Sequence, residues 1–151
     1  MYAKRMGLSE LEVSSAGTRA VRAHPIHPEA ARVIDQLGGD PSNFSARQLT
    51  HKLASNADLV VTMTTEQRDR VLELAPRQLR RTFTLNEVAY LASEHDAESV
   101  ADLSRLRPLL PTTQQLPEIP DPIGQSPGVF SAVGLQIAQA VPTLLKLRLS
   151  D

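Results

Sequence analysis

From Asp58 to Met63 the chain reads DLVVTM, a run of strand-forming residues in which the apolar positions do not alternate with polar ones. A strand with one face in water alternates apolar and polar side chains. Leu59, Val60 and Val61 in succession therefore require burial on both faces, as inside a parallel sheet. Parallel strands need long crossover connections, and the flanking sequence supplies helices for them. In HPIHPEAARVIDQLGG, Pro28 suits a first helical position, Ala30, Val33, Ile34 and Leu37 share one face, and Gly38 and Gly39 stop the helix. Thr50 caps a short helix to about Asn56. Thr64 and Gln67 have capping-box spacing and open a helix carrying Val71, Leu72 and Ala75 before Pro76 ends it. Leu11–Ser15 and Thr82–Leu85 are further strand candidates, and Asn86 caps a helix to about Ala92. Ser93 to Pro117 is polar, then proline-rich, and is expected to be irregular or partly helical. A final helix carries Phe130, Val133, Ile137, Val141 and Leu144 on one stripe, with Pro142 as a kink. The alternation predicts an α/β fold in three layers, a Rossmann-like parallel sheet with helices on both faces, as one domain over residues 1–151. Ligands in such folds bind beyond the carboxyl ends of the strands.

Composition narrows the function classes. Lys plus Arg number 16 and Asp plus Glu 17, so no global field argues for nucleic acid or an acidic membrane surface. No apolar run approaches the roughly 20 residues of a membrane span, and MYAKRMGLSE lacks the apolar segment of a signal peptide, which makes the cytoplasm the expected compartment. With no cysteine there is neither a disulfide nor a thiolate metal site, and His24, His27, His51 and His95 show no ligand-like spacing, so no cofactor is expected.

One carboxylate stands out. In EIPDPIG, Glu118 to Gly124, Asp121 lies between Pro120 and Pro122. Proline fixes its own φ and pushes the preceding residue toward extended backbone, so Asp121 sits in a stiff, non-helical segment. That suits a positioned acid or base, and it equally suits a turn.

The segments VSSAGT, HPIHPEA, SARQLT, DLVVTM and EIPDPIG occur in the order and spacing of the low-molecular-weight protein tyrosine phosphatase family. The chain resembles that family from about residue 1 to the final helix. The resemblance implies hydrolysis of a phosphate monoester, phosphotyrosine on a protein, through a cysteinyl-phosphate intermediate. Asp121 matches the family's general acid, which later serves as base for the attacking water.

The family's Cys-x5-Arg loop has no counterpart in the chain, which has no cysteine. In the family that loop follows the first strand and precedes the segment matching VSSAGT. Here only MYAKRMGLSE precedes it, similar to the tail of the family's first helix, with Tyr2 and Met6 at i, i+4. The first strand and catalytic loop are thus expected to be missing from this sequence. Arg19 and Arg22 follow the first turn and could face the pocket mouth. Ile123 stands where many members carry an aromatic residue, which leaves phosphotyrosine, phosphoarginine and other phosphoesters open. The family's arsenate reductases need additional cysteines. Three readings result: a phosphatase whose catalytic loop lies upstream of Met1, a catalytically inactive binding or interaction module, or a non-functional remnant. In the family the missing strand lies between those matching LEVSS and DLVVT, so its loss exposes an edge at Leu59, Val60 and Val61 and predicts self-association.

Overall fold

Val60–Thr62 form β1, at the centre of a computed structural model that describes residues 11–20, 24–42, 44–112 and 115–148. Before it come α1 (Pro28–Gln36) and α2 (His51–Ser55), and after it α3 (Thr65–Leu74), a 3-10 helix (Pro76–Arg81) and β2 (Thr82–Thr84). β1 and β2 pair in parallel with Val60 opposite Thr82, Val61 opposite Phe83 and Thr62 opposite Thr84, so α3 and the 3-10 helix form the crossover. Then follow α4 (Leu85–Glu94), α5 (Val100–Leu106), a short 3-10 turn (Arg107–Leu109) and α6 (Pro127–Leu144). The protein has the expected α/β fold, a parallel sheet layered between helices.

Apolar side chains pack on both faces of β1, with Val60 and Val61 half-buried and Thr62 buried. Val60 packs with Leu49, Ala54, Val71 and Ala75 from the α2–α3 side, whereas Val61 packs with Leu85, Ile119, Val133 and Ile137 on the α6 side. Phe83, Val88, Leu91 and Leu103 continue the core through β2, α4 and α5, and Leu144 joins it to the α6 layer. α6 also crosses α1 closely: a Cβ added at Gly134 would lie 2.3 Å from Val33 Cγ1, so only glycine permits this approach.

Several elements depart from the sequence reading. Leu11–Ser15 forms no strand, since a strand exists only by pairing and no described strand lies beside it; its neighbour Gly17 makes a single bridge to Gln48. The cap of α4 is Thr84, whose hydroxyl accepts from Glu87 N while the Glu87 carboxylate accepts from Thr84 N, a complete capping box. Asn86 lies two residues further in and donates instead to the Pro117 carbonyl. At α3, Thr64 caps through Gln67 N as expected, but the Gln67 side chain accepts from Met63 N, one residue ahead of the cap. Pro142 lies inside α6. The expectations at Met1, Tyr2, Met6 and Arg22 fall outside the described residues. Among those described, no helix is long and apolar enough to cross a membrane.

Candidate functional site

The EIPDPIG segment is tied to the carboxyl end of β1 by its first residues. Ile119 N donates to Met63 O at 3.1 Å, and the Ile119 side chain is buried against Leu85 and Val133. Glu118 accepts from Thr65 N at 2.7 Å and from the Thr65 hydroxyl, which places a carboxylate at the N-terminus of α3. An anion is favoured there by the helix dipole and by amides without intrahelical partners. The Thr65 hydroxyl and backbone donors hold the Glu118 carboxyl below its ordinary range, against a smaller opposing effect of burial. With Asn86 on the Pro117 carbonyl, the three residues before the first proline of the motif are each fixed.

Pro120, Asp121 and Pro122 then follow along the rim of a cleft of about 600 Å³ between α1 and α6. Ile34, Leu37, Met63, Phe130, Val133 and Ile137 give it an apolar wall. The Asp121 carboxylate is exposed and accepts from Ile123 N at 3.0 Å, a local turn that also fixes its direction. Positive φ at Gly124, 78°, closes that turn. At the opposite side His27 caps α1 by accepting from Glu29 N at 3.3 Å and stacks on Phe130 with centroids 4.9 Å apart. Among the described residues Asp40 and Asp121 are the charged ones lining the cleft, with no arginine or lysine beside them. The described lining by itself opposes a phosphoryl group rather than cradling one. Among the described residues no group of three or more His, Asp or Glu is placed to hold a metal ion.

Hydrogen bonds join the five sequence segments that carried the resemblance into two groups, one of three and one of two. Gln48 of SARQLT clamps the turn after VSSAG, its amide donating to Thr18 O and accepting from Ala20 N, and Arg47 donates to Ser15 O. Ala46 N donates to His24 O of HPIHPEA, and Met63 of DLVVTM meets Ile119 of EIPDPIG. Arg19 does not line the cleft; it pairs with Glu66 at 2.9 Å in full solvent, where such pairs add little. Sequence reasoning singled out Asp121, which lies on the cleft rim, and did not single out the contacts of Thr65, Asn86 and Gln48. Their roles lie in contacts separated by about 30 residues or more, for which the only local signal was a polar residue beside a cap or a turn.

Comparison with known proteins places these features. The family described as low molecular weight phosphotyrosine protein phosphatase matches residues 1–103. A relative from Ralstonia nicotianae, the probable low molecular weight protein-tyrosine-phosphatase EpsP, is 34% identical over 84 residues, 56% of this chain and 58% of its own length. The match thus spans under two thirds of that relative. The arsenate reductase of Bacillus subtilis is 29% identical over 106 residues, 70% of this chain and 73% of its own. A solved low molecular weight protein tyrosine phosphatase from T. tengcongensis superimposes with a TM-score of 0.73 at 21% identity, covering 95% of this chain and 82% of that one.

Proposed function

The chain belongs to the low molecular weight phosphotyrosine protein phosphatase family, and from that premise we propose that it carries the acid–base half of a phosphate monoester hydrolase acting on phosphotyrosine proteins. The observation that supports this most is the fixed approach to Asp121: Glu118 on Thr65, Ile119 on Met63 and Asn86 on Pro117 O set a carboxylate at the rim of a cleft beyond the carboxyl end of β1. A turn residue needs no such tethering.

In this reading a cysteine thiolate that the 151 residues do not contain attacks phosphorus and the ester P–O bond breaks. Protonated Asp121 gives its proton to the departing oxygen, which leaves as the neutral alcohol. The resulting carboxylate then takes a proton from the water that splits the phosphocysteine, releasing phosphate and thiolate. Its place on the rim, outside the anion cradle, lets it serve both steps.

The second reading is a non-catalytic interaction module in the cytoplasm. It is favoured by a cleft whose described lining has no cation, and by the edge of β1 opposite β2, where no described strand pairs. That edge is the surface through which self-association is proposed. Purified 151-residue chain should not turn over p-nitrophenyl phosphate. Turnover that survives removal of host phosphatases sinks the assignment of the nucleophile to a cysteine outside these residues. Reading the nucleotides upstream of Met1 separates the two readings: an in-frame strand and Cys-x5-Arg loop supports the first, and a stop codon the second.

A further inference from the structure

Every arginine among the described residues has a carboxylate or carbonyl partner, from Arg19 on Glu66 to Arg148 on Glu98, except Arg77 and Arg80. Both lie on the 3-10 helix between α3 and β2, in the sequence PRQLRR. Three residues make one turn of such a helix, so side chains at i and i+3 eclipse and the two guanidinium groups share one ridge. Leu79, 52% exposed, lies about a third of a turn round from that ridge. Two like charges on one ridge repel each other, and neither has a carboxylate partner within the described chain.

The segment beneath them is rigid. Gln78 is buried and its amide donates to Ala54 O and Ser55 O, both at 2.9 Å. Thr82 donates to Gln78 O at 2.8 Å, and Arg107 donates to Leu79 O at 2.7 Å. The ridge is therefore fixed before any partner arrives, which lowers the ordering cost of binding. The C-terminus of α3 favours nearby cations, which accounts for basic residues in this region. It does not account for Leu79.

We propose that this ridge is a docking surface for an acidic segment of a partner protein, with carboxylates on Arg77 and Arg80 and an apolar side chain beside them that covers Leu79. Planar guanidinium groups match carboxylates in bidentate pairs, and an exposed leucine a third of a turn away asks for an apolar residue next to the acids. A membrane is the poorer fit, because recognition of anionic lipid takes clusters of about four to eight basic residues and this ridge presents far fewer. The surface lies apart from the cleft and does not depend on the phosphatase reading.

The test is an NMR titration of the full 151-residue chain with a capped Glu-Glu-Leu-Asp-Glu peptide at low salt. Shifts should concentrate at residues 76–82, and the amide analogue Gln-Gln-Leu-Asn-Gln should produce none. The double substitution Arg77→Gln with Arg80→Gln should weaken binding about tenfold or more, as expected for loss of charge-assisted pairs. Leu79→Ser should weaken it by a smaller factor, and Arg19→Gln should bind as wild type. Circular dichroism checks that each variant is folded. The proposal is overturned by no saturable shift, by equal binding of the amide peptide, or by full binding of the double variant. It is equally overturned if inorganic phosphate occupies the ridge as tightly as the peptide, or if phosphatidylglycerol vesicles bind the ridge and the peptide does not.

Discussion

Asp121 is aimed by two devices that act on different sides of it. The bracing prolines restrict the backbone, and the Glu118–Thr65 and Ile119–Met63 contacts fix where that backbone starts. If an upstream Cys-x5-Arg loop is present and supplied, Asp121→Asn should slow hydrolysis of esters with poor leaving groups by about 10² to 10⁴. Esters whose leaving group needs no proton should be nearly unaffected, and an equal loss on both would make Asp121 structural. Glu118 is expected to matter for stability in a pH-dependent way. Its carboxyl titrates lower in the folded chain than its ordinary 4.5 because Thr65 donates to the charged form. A lowered folded value means that the contribution is complete above about pH 4.5 and is lost as pH falls through the folded value. Asp102 behaves alike: Arg105 and Ser99 hold it at about 2 against an ordinary 3.8, so its contribution fades between those values. Glu118→Gln should thus destabilise the fold at neutral pH by under about 1 kcal/mol given its exposure, read as a lower thermal midpoint, and by less at pH 3. An equal decrement at both pH values counts against the charge argument.

At the scale of elements, close approaches decide more than propensities do. The α1–α6 crossing rests on Gly134, where a methyl group would collide with Val33, a stiff β-branched side chain. Gly134→Ala should cost about 1–3 kcal/mol by overpacking, or roughly 2–4 °C of Tm per kcal/mol, despite the higher helix propensity of alanine. A rise in Tm would mean that α6 slides on α1 freely. Arg107 binds three elements together: its guanidinium lies 3.8 Å above the Phe83 ring and donates to Leu79 O and Thr82 O. Desolvation lowers its pKa, yet it remains a cation at any ordinary pH. Arg107→Met should destabilise by about 1.5–3 kcal/mol, as for lost charge-assisted hydrogen bonds, measured by urea unfolding. It should also loosen the 3-10 helix that carries Arg77 and Arg80.

For the whole molecule the sheet is the weak point. β1 is packed on both faces, with Val60 and Val61 half-buried, but paired along one edge only among the described residues. A buried backbone group without a partner costs about 1–3 kcal/mol, and a few of them consume much of the roughly 5–15 kcal/mol by which a domain is stable. The 151-residue chain is therefore expected to be weakly stable and to self-associate, read by light scattering after size exclusion. A strictly monomeric protein with a sharp, reversible transition near 60 °C or above, high in the usual range of about 45–65 °C, contradicts this.

The sequence by itself determined the fold class, the parallel pairing implied by DLVVTM, the starts of α1, α2 and α3, and Asp121 as the candidate acid. Each is written in a short window, as a period of apolar residues, a cap or a pair of prolines. Only the tertiary structure decided that Leu11–Ser15 is not a strand, that Thr84 and not Asn86 caps α4, and that no described cation lines the cleft beside Asp121. A strand requires a neighbour, and a cap is chosen by which polar side chain the rest of the fold leaves free; Asn86 was taken by Pro117 O, 31 residues away. Such choices depend on what lies close in space, which local sequence does not encode.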